Sequence, residues 1–191
     1  MKEFAKSGRP RSTQADRSII QATLDLLAEV GYERTSIEAI ASRAGVGKTT
    51  IYRRYSSKAE LVADALESRR EQISIPDTGD FWRDFEILIE QGIPKQDSYL
   101  ERQTIATIVS TSSSNPEFAE IYWKKYVLPR RKAFCQVFDR AKERGEISPD
   151  VDNDFIVDLL IGYVLFTLCI KPQTEPFEVS IRVLSGFLLN Q

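Results

Sequence analysis

The chain has 191 residues, 42% hydrophobic and 28% charged, ordinary values for a globular protein of one large or two small domains. It contains no histidine, which removes the commonest general base and every histidine metal site, and Cys135 and Cys169 form neither a metal spacing nor a disulfide framework. No apolar run approaches the roughly 18 residues a membrane helix needs, and the basic amino terminus has no apolar segment behind it to make a secretory signal. A cytoplasmic protein with no membrane partner, metal or cofactor is expected.

The net charge of −2 conceals an asymmetry. Residues 1–58 hold 11 Lys and Arg against 6 Asp and Glu, leaving 15 of the 26 basic and 22 of the 28 acidic residues to the remainder. A basic module joined to an acidic one fits a DNA-binding head on a body that does not bind DNA.

Residues 1–12 read as a flexible basic arm in which Arg9 and Arg11 flank Pro10. These arginines either reach a minor groove or belong to a solvated tail. From about Thr13 to Val30, Ile19, Ile20, Leu24, Leu26, Leu27 and Val30 describe an amphipathic helix with a broad apolar face, which Gly31 stops.

The stretch Thr35 to Lys58 then carries the strongest signal. Thr35 is expected to cap a short helix, with Glu38 three residues on to close a capping box. Ile37, Ile40, Ala41 and Ala44 share one face, and Gly45 ends the helix. A second short helix, Lys48 to about Tyr55, turns Ile51 inward and Lys48, Thr49 and Arg53 outward. A small residue where helices cross, a turn glycine and an apolar anchor together make a helix-turn-helix, whose second helix enters the major groove. The rival reading of Gly47-Lys48-Thr49 as the end of a phosphate-binding loop fails. That pattern requires glycine where Ser42 stands, and a strand where Ile37 to Ala44 has a helix period.

Ser57-Lys58-Ala59-Glu60 reads as another capping box, opening a helix to about Gln72 whose amino terminus and Lys58 can receive a phosphate. The breaker cluster Ser74 to Gly79 sets a boundary between a domain of residues 1–73 and one of residues 74–191. Beyond it every segment has helical period: Phe81 to Gln91 after an Asp80 cap, Tyr99 to about Ser112, and a helix opened by Asn115 and Pro116 that Pro129 should kink. Asp154 to about Ile170 and Pro176 to Leu189 follow. No strand pattern occurs, so the fold class is all-α: a three-helix head and a helical-bundle body.

The chain resembles the TetR family of bacterial transcriptional regulators. The resemblance is specific from Ile19 to about Leu66, through Gly31-Tyr32, Thr35-Ser36-Ile37, Ile40-Ala41, Ala44-Gly45-Val46, Thr50-Ile51-Tyr52 and Lys58-Ala59-Glu60-Leu61. The remaining two-thirds match mainly by helix order and by Arg144-Gly145-Glu146-Ile147. The resemblance implies about nine helices and a homodimer binding a palindromic DNA operator, usually as a repressor released by a small-molecule effector. It places Lys48 and Thr49 against bases, Arg53 as a further base candidate, and Thr50, Tyr52 and Lys58 on phosphates. The DNA-binding candidates are thus Thr35, Ser36, Lys48, Thr49, Thr50, Tyr52, Arg53, Arg54 and Lys58, with Arg9 and Arg11 of the arm. Arg53-Arg54-Tyr55 departs from the commoner aromatic-histidine-phenylalanine arrangement, so either arginine can be the base reader. The absence of histidine also excludes the magnesium–drug site of the family's tetracycline-responsive member.

In the body, aromatic residues at helical spacing serve either a core or an effector pocket. Trp82, Phe85, Tyr122, Trp123, Tyr126 and Phe138 are the apolar pocket candidates, and Gln103, Thr104 and Thr107 the polar ones. The last two helices carry more apolar residues than one chain can bury. Phe155, Leu159, Gly162 and Phe166, with Ile181, Leu184, Phe187 and Leu188, are expected to form a four-helix dimer interface. An enzyme is not expected. A constitutive DNA-binding protein without a ligand is the alternative, though it would need no acidic body of this size.

Overall fold

The computed structural model describes residues 13–68, 70, 74–92 and 99–170. The chain divides into two compact units, 1–68 and 69–191. The described residues form eight helices and no strand.

In the first unit, α1 spans Thr13–Arg34, α2 Ile37–Ala44, α3 Lys48–Tyr52 and α4 Lys58–Glu67. Gly31 breaks the helical path inside α1 at φ 76°, a left-handed value that costs glycine nothing, and a last turn carries Tyr32 inward. Val30, expected on the apolar face, lies 41% exposed as the chain leaves the helix. Ile19, Ala22 and Leu26 of α1, Ile37, Ile40 and Ala41 of α2, Ile51 of α3 and Leu61 of α4 close one core. Full burial of an isoleucine such as Ile40 or Ile51 contributes about 1.5–3 kcal/mol.

The cap of α2 is Ser36, not Thr35. The Ser36 hydroxyl accepts from the Ala39 amide at 3.1 Å. Thr35 is 1% exposed, and its hydroxyl donates to the Gly31 carbonyl at 2.7 Å, satisfying an acceptor freed by the break in α1. The Ser57 box is shifted as well. Ser57 accepts from the Glu60 amide, but the Glu60 carboxylate reaches back to the amide and hydroxyl of Ser56.

In the second unit, α5 spans Phe81–Gly92, α6 Tyr99–Ser114 and α8 Asn153–Cys169. Between the last two, α7 begins at Pro116–Tyr122, widens into a π-helical turn over Trp123–Val127, and continues as Leu128–Glu143. Pro129 is the local cause: it has no amide proton to donate and crowds the preceding turn. The widened turn lets the Leu128 amide bond to the Trp123 carbonyl five residues back. The Asp80 carboxylate accepts from the Arg83 amide, Asn115 caps the Phe118 amide and Asp152 caps the Phe155 amide. Phe81, Phe85 and Leu88 pack on Val137, Phe138 and Ala141 and on Ile156, Val157 and Leu160, so α5, α7 and α8 enclose one core. Its centre is aromatic, with Phe81 and Phe138 ring centroids 5.5 Å apart.

Candidate DNA-reading face and body cavity

The turn between α2 and α3 fixes the presentation of α3. Gly45 adopts φ 67°, the Val46 amide bonds to the Ala41 carbonyl at 3.0 Å, and the Gly45 amide bonds to that of Ser42. This left-handed closure points the chain away at an angle, and Val46 packs on the head core behind it. Ile51 is fully buried, which leaves the remainder of α3 outward. Lys48, Thr49, Tyr52 and Arg53 are exposed, Thr50 and Ser36 half-buried.

Two arginines adjacent in sequence part company here. The Arg54 side chain is 7% exposed, ion-paired with Asp16 of α1 and donating to the Thr50 carbonyl at 2.9 Å. It ties α3 to α1, and the expectation that it faces DNA is corrected: its guanidinium is spent inside the head. Arg53 is exposed, and its side chain makes no bond among the described residues. Thr35 is likewise removed from the DNA-facing set by its burial. Lys58 folds back, donating to the Tyr32 carbonyl at 3.0 Å with its ammonium 4.1 Å from the Tyr32 ring centroid, so in the free chain it braces α4 against the end of α1. Arg9 and Arg11 lie outside the described residues.

Charge at the tip is paired across the turn. Lys48 contacts Glu38 at 3.0 Å, a bond that holds the Glu38 carboxyl below its ordinary range and the Lys48 ammonium above its own. Glu38 therefore serves Lys48 rather than the capping box. Arg43 makes a two-pronged pair with Glu29 at 2.7 Å on each oxygen, joining α2 to α1.

The second unit contains a cavity of about 480 Å³, within the range of small-molecule sites. Ile105, Ile108, Val109 and Ser112 of α6 line one side. Tyr122, Trp123, Val127 and Phe134 come from α7, and Leu160, Ile161, Val164 and Leu165 from α8. The π turn thus puts both its first and last residues on the wall.

Of the expected pocket residues, Tyr122 and Trp123 line this cavity. Phe85 and Phe138 do not: they are 3% and 0% exposed inside the core of the unit. Trp82 sits 37% exposed, edge-on to Phe81 and Phe85, and Tyr126 packs on the Tyr122 ring from outside the wall. Gln103, Thr104 and Thr107 are absent from the wall because they occupy other faces of α6; the Thr107 hydroxyl bonds back to the Gln103 carbonyl. The wall is instead the apolar face of α6, Ile105, Ile108 and Val109 at helical spacing, with Ser112 one turn on.

Arg131 also lines the cavity, with its side chain 11% exposed. It bonds Asp154 at 2.6 Å and pairs with Asp158, and it lies 5.9 Å from the Trp123 ring centroid. Burial works against its charge, but the two carboxylates prevail and hold its pKa above the ordinary value. Cys135 is half-buried, and burial first, then Asp154, pushes its thiol up, so it is not an activated nucleophile.

On α8, Phe155 is 57%, Leu159 36% and Phe166 53% exposed, and Gly162 lies between them on the surface. Ile181, Leu184, Phe187 and Leu188 lie outside the described residues.

A three-helix core that presents a short, polar, exposed helix after a glycine turn defines a helix-turn-helix DNA-binding protein. The comparisons place it further. The profile of the bacterial regulatory proteins of the tetR family matches residues 19–65, and that of the tetracyclin repressor-like C-terminal domain matches residues 75–184. The chain belongs to the TetR family of transcriptional regulators, and it is not an enzyme. It is 31% identical to the HTH-type transcriptional regulator Mb1581 of Mycobacterium bovis, over 92% of this chain and 84% of that one. It is 27% identical to the DNA-binding transcriptional repressor TetR of Mycobacteroides abscessus, over 78% of this chain and 79% of that one. Among solved structures, the TetR family transcription regulator SCO0332 superposes with a TM-score of 0.65 at 26% identity, covering 92% of this chain and 97% of that chain. Among the described residues no helix is long and apolar enough to cross a membrane.

Proposed function

We propose that this regulator is a cytoplasmic repressor that binds a palindromic operator as a homodimer and leaves it when a small, largely apolar ligand enters the body. The carrying observation is the tip of α3, where Lys48, Thr49, Tyr52 and Arg53 stand exposed on a helix anchored from behind by Ile51 and Arg54. Arg53 is the base reader: a free guanidinium can bond two acceptors of guanine at once, worth about 1–3 kcal/mol of discrimination. Lys48 and Thr49 join it at the bases, with Lys48 exchanging Glu38 for DNA. Ser36, Thr50 and Tyr52 donate hydroxyls to phosphate and set the register.

The homodimer reading is supported by the exposed apolar line on α8, Phe155, Leu159 and Phe166, around Gly162. A Cβ on Gly162 would meet nothing within 4 Å among the described residues, which supports a notch that a partner's helix can enter. The effector reading is supported by the 480 Å³ cavity. Linkage requires the ligand to prefer the DNA-incompetent state, by about 1–3 kcal/mol for a typical coupled pair of sites.

Fluorescence anisotropy on a duplex selected for tight binding tests the reading. Arg53→Ala should erase most of the preference for that duplex over a scrambled one and leave the fold unchanged. Equal losses on both duplexes would remove Arg53 from base reading, and a specific complex with one subunit per site would remove the dimer. Operator affinity that no cavity ligand alters would favour a constitutive DNA-binding protein.

A further inference from the structure

The ion pairs of the head are not alike. Arg43 grips Glu29 with two prongs, and Arg54, its side chain 7% exposed, is spent on Asp16, so both tie an element to α1. Lys48 and Glu38 meet through a single 3.0 Å bond, with their side chains 54% and 61% exposed. They join α2 to α3, which the Gly45 turn and the packing of Ile37, Ile40 and Ile51 already hold together. An exposed pair of this kind adds little to stability and costs little to open. The cap of α2 does not need Glu38 either, because Ser36 takes the Ala39 amide. What distinguishes Glu38 is its place: a carboxylate one bond away from the lysine that opens α3.

A carboxylate set against DNA is repelled by the phosphates unless a base offers it a donor. In the major groove a G·C pair offers the guanine O6 as an acceptor and the cytosine N4 amino group as a donor. A Watson–Crick hydrogen bond joins these two atoms, so they stand about 3 Å apart. The Lys48 Nζ and the Glu38 Oε1 have the same separation. Resting on the reading of the α3 tip as the DNA-reading face, we infer that Glu38 is a further base-reading residue, and that it and Lys48 read one G·C pair together. On docking they release one another: the Lys48 ammonium donates to guanine O6, and the Glu38 carboxylate accepts from cytosine N4. An A·T pair in the same orientation inverts both positions, presenting the adenine N6 donor to Lys48 and the thymine O4 acceptor to Glu38. A backbone phosphate offers Lys48 a partner but leaves Glu38 without one, so the two residues together favour this base pair over the backbone.

Selection of bound duplexes from a random-sequence library, with the wild type, Lys48→Ala and Glu38→Ala, tests the pairing. Glu38→Ala keeps the Ser36 cap and the buried face of α2, and circular dichroism checks its fold. Both variants should relax the same G·C position in each half-site. In fluorescence anisotropy, changing that pair to A·T should weaken wild-type binding about tenfold or more, as a well-made base contact implies, and weaken Glu38→Ala binding less. Removing only the amino group of that cytosine, by using a pyrimidin-2-one nucleotide, should likewise cost the wild type more than it costs Glu38→Ala. Lys48→Ala relaxing a position that Glu38→Ala leaves fully specified would overturn the inference and leave Lys48 a base reader. Different positions relaxed by the two variants would overturn the shared base pair. If neither variant relaxes any position, the inference falls together with the place of Lys48 at the bases.

Discussion

The two units of this protein divide labour between polar and apolar side chains in opposite ways. In the first unit the apolar residues pack: Ile19, Ile40, Ile51 and Leu61 are fully buried, and the outward face of α3 is polar. In the second unit apolar residues do two jobs. Phe81, Phe85 and Phe138 fill a core, while Ile105, Ile108 and Phe134 wall a cavity. A polar residue on a packed helix has one place to go, so its role can be read from its face. An apolar residue faces inward whether the inside is full or empty.

The comparison can be broken first where the effects are largest. Phe138→Ala should cost about 3–5 kcal/mol, because the ring centres the second core rather than the cavity. If Phe138→Ala instead altered ligand affinity with stability intact, the separation of core from cavity would fail. Ile51→Ala should cost about 2–5 kcal/mol and abolish DNA binding through the head. Chemical denaturation with circular dichroism, alongside anisotropy, reads both.

The adjacent arginines sharpen the head. Arg54→Ala removes a nearly buried cation from Asp16 and the Thr50 carbonyl and should cost about 1–3 kcal/mol of stability. Arg53→Ala should change stability by less than about 0.5 kcal/mol and act on DNA alone. Reversal of these two outcomes would exchange their roles. Ser36→Ala and Thr35→Val should each cost about 1 kcal/mol, one as a lost cap and the other as a lost buried bond to Gly31. Only Ser36→Ala should also weaken DNA binding.

Much of the fold was legible. Asn115 before Pro116 and Gly45 before Val46 act where their chemistry says they should, since caps and turns depend on residues only a few positions apart. The errors arose where the deciding neighbour is distant. Thr35 and Ser36 are equally good caps on paper. The broken helix at Gly31 offers a carbonyl that takes the Thr35 hydroxyl, and that decides between them. Arg53 and Arg54 are alike in sequence until Asp16, thirty-eight residues away from Arg54, claims one of them. In the body, Gln103 and Thr107 are polar neighbours of Ile105, Ile108 and Val109 along α6, and a helix's outward face gives the same pattern as a pocket's polar groups.

The smallest expected effects are electrostatic. Glu38→Gln should free Lys48 and raise affinity for random duplex DNA modestly, with a steeper dependence on salt. Glu146 accepts from the Phe81 amide and pairs with Arg144, and the Arg144 bond holds its carboxyl below the ordinary 4.5. A carboxyl lowered by folding contributes stability above its ordinary value, and loses that contribution as the pH falls through the lowered one. Acid titration of stability should therefore show a small loss below 4.5 that Glu146→Gln removes.

The claim that the exposed tip of α3 reads DNA is tested most directly by selecting bound duplexes from a random-sequence library with the wild-type protein and with Arg53→Ala. The wild type should enrich a palindrome whose half-sites lie about one helical turn apart, roughly 34 Å or somewhat more. Arg53→Ala should enrich the same palindrome with one guanine position in each half relaxed. Recovery of an unchanged, fully specified palindrome by Arg53→Ala would contradict the account.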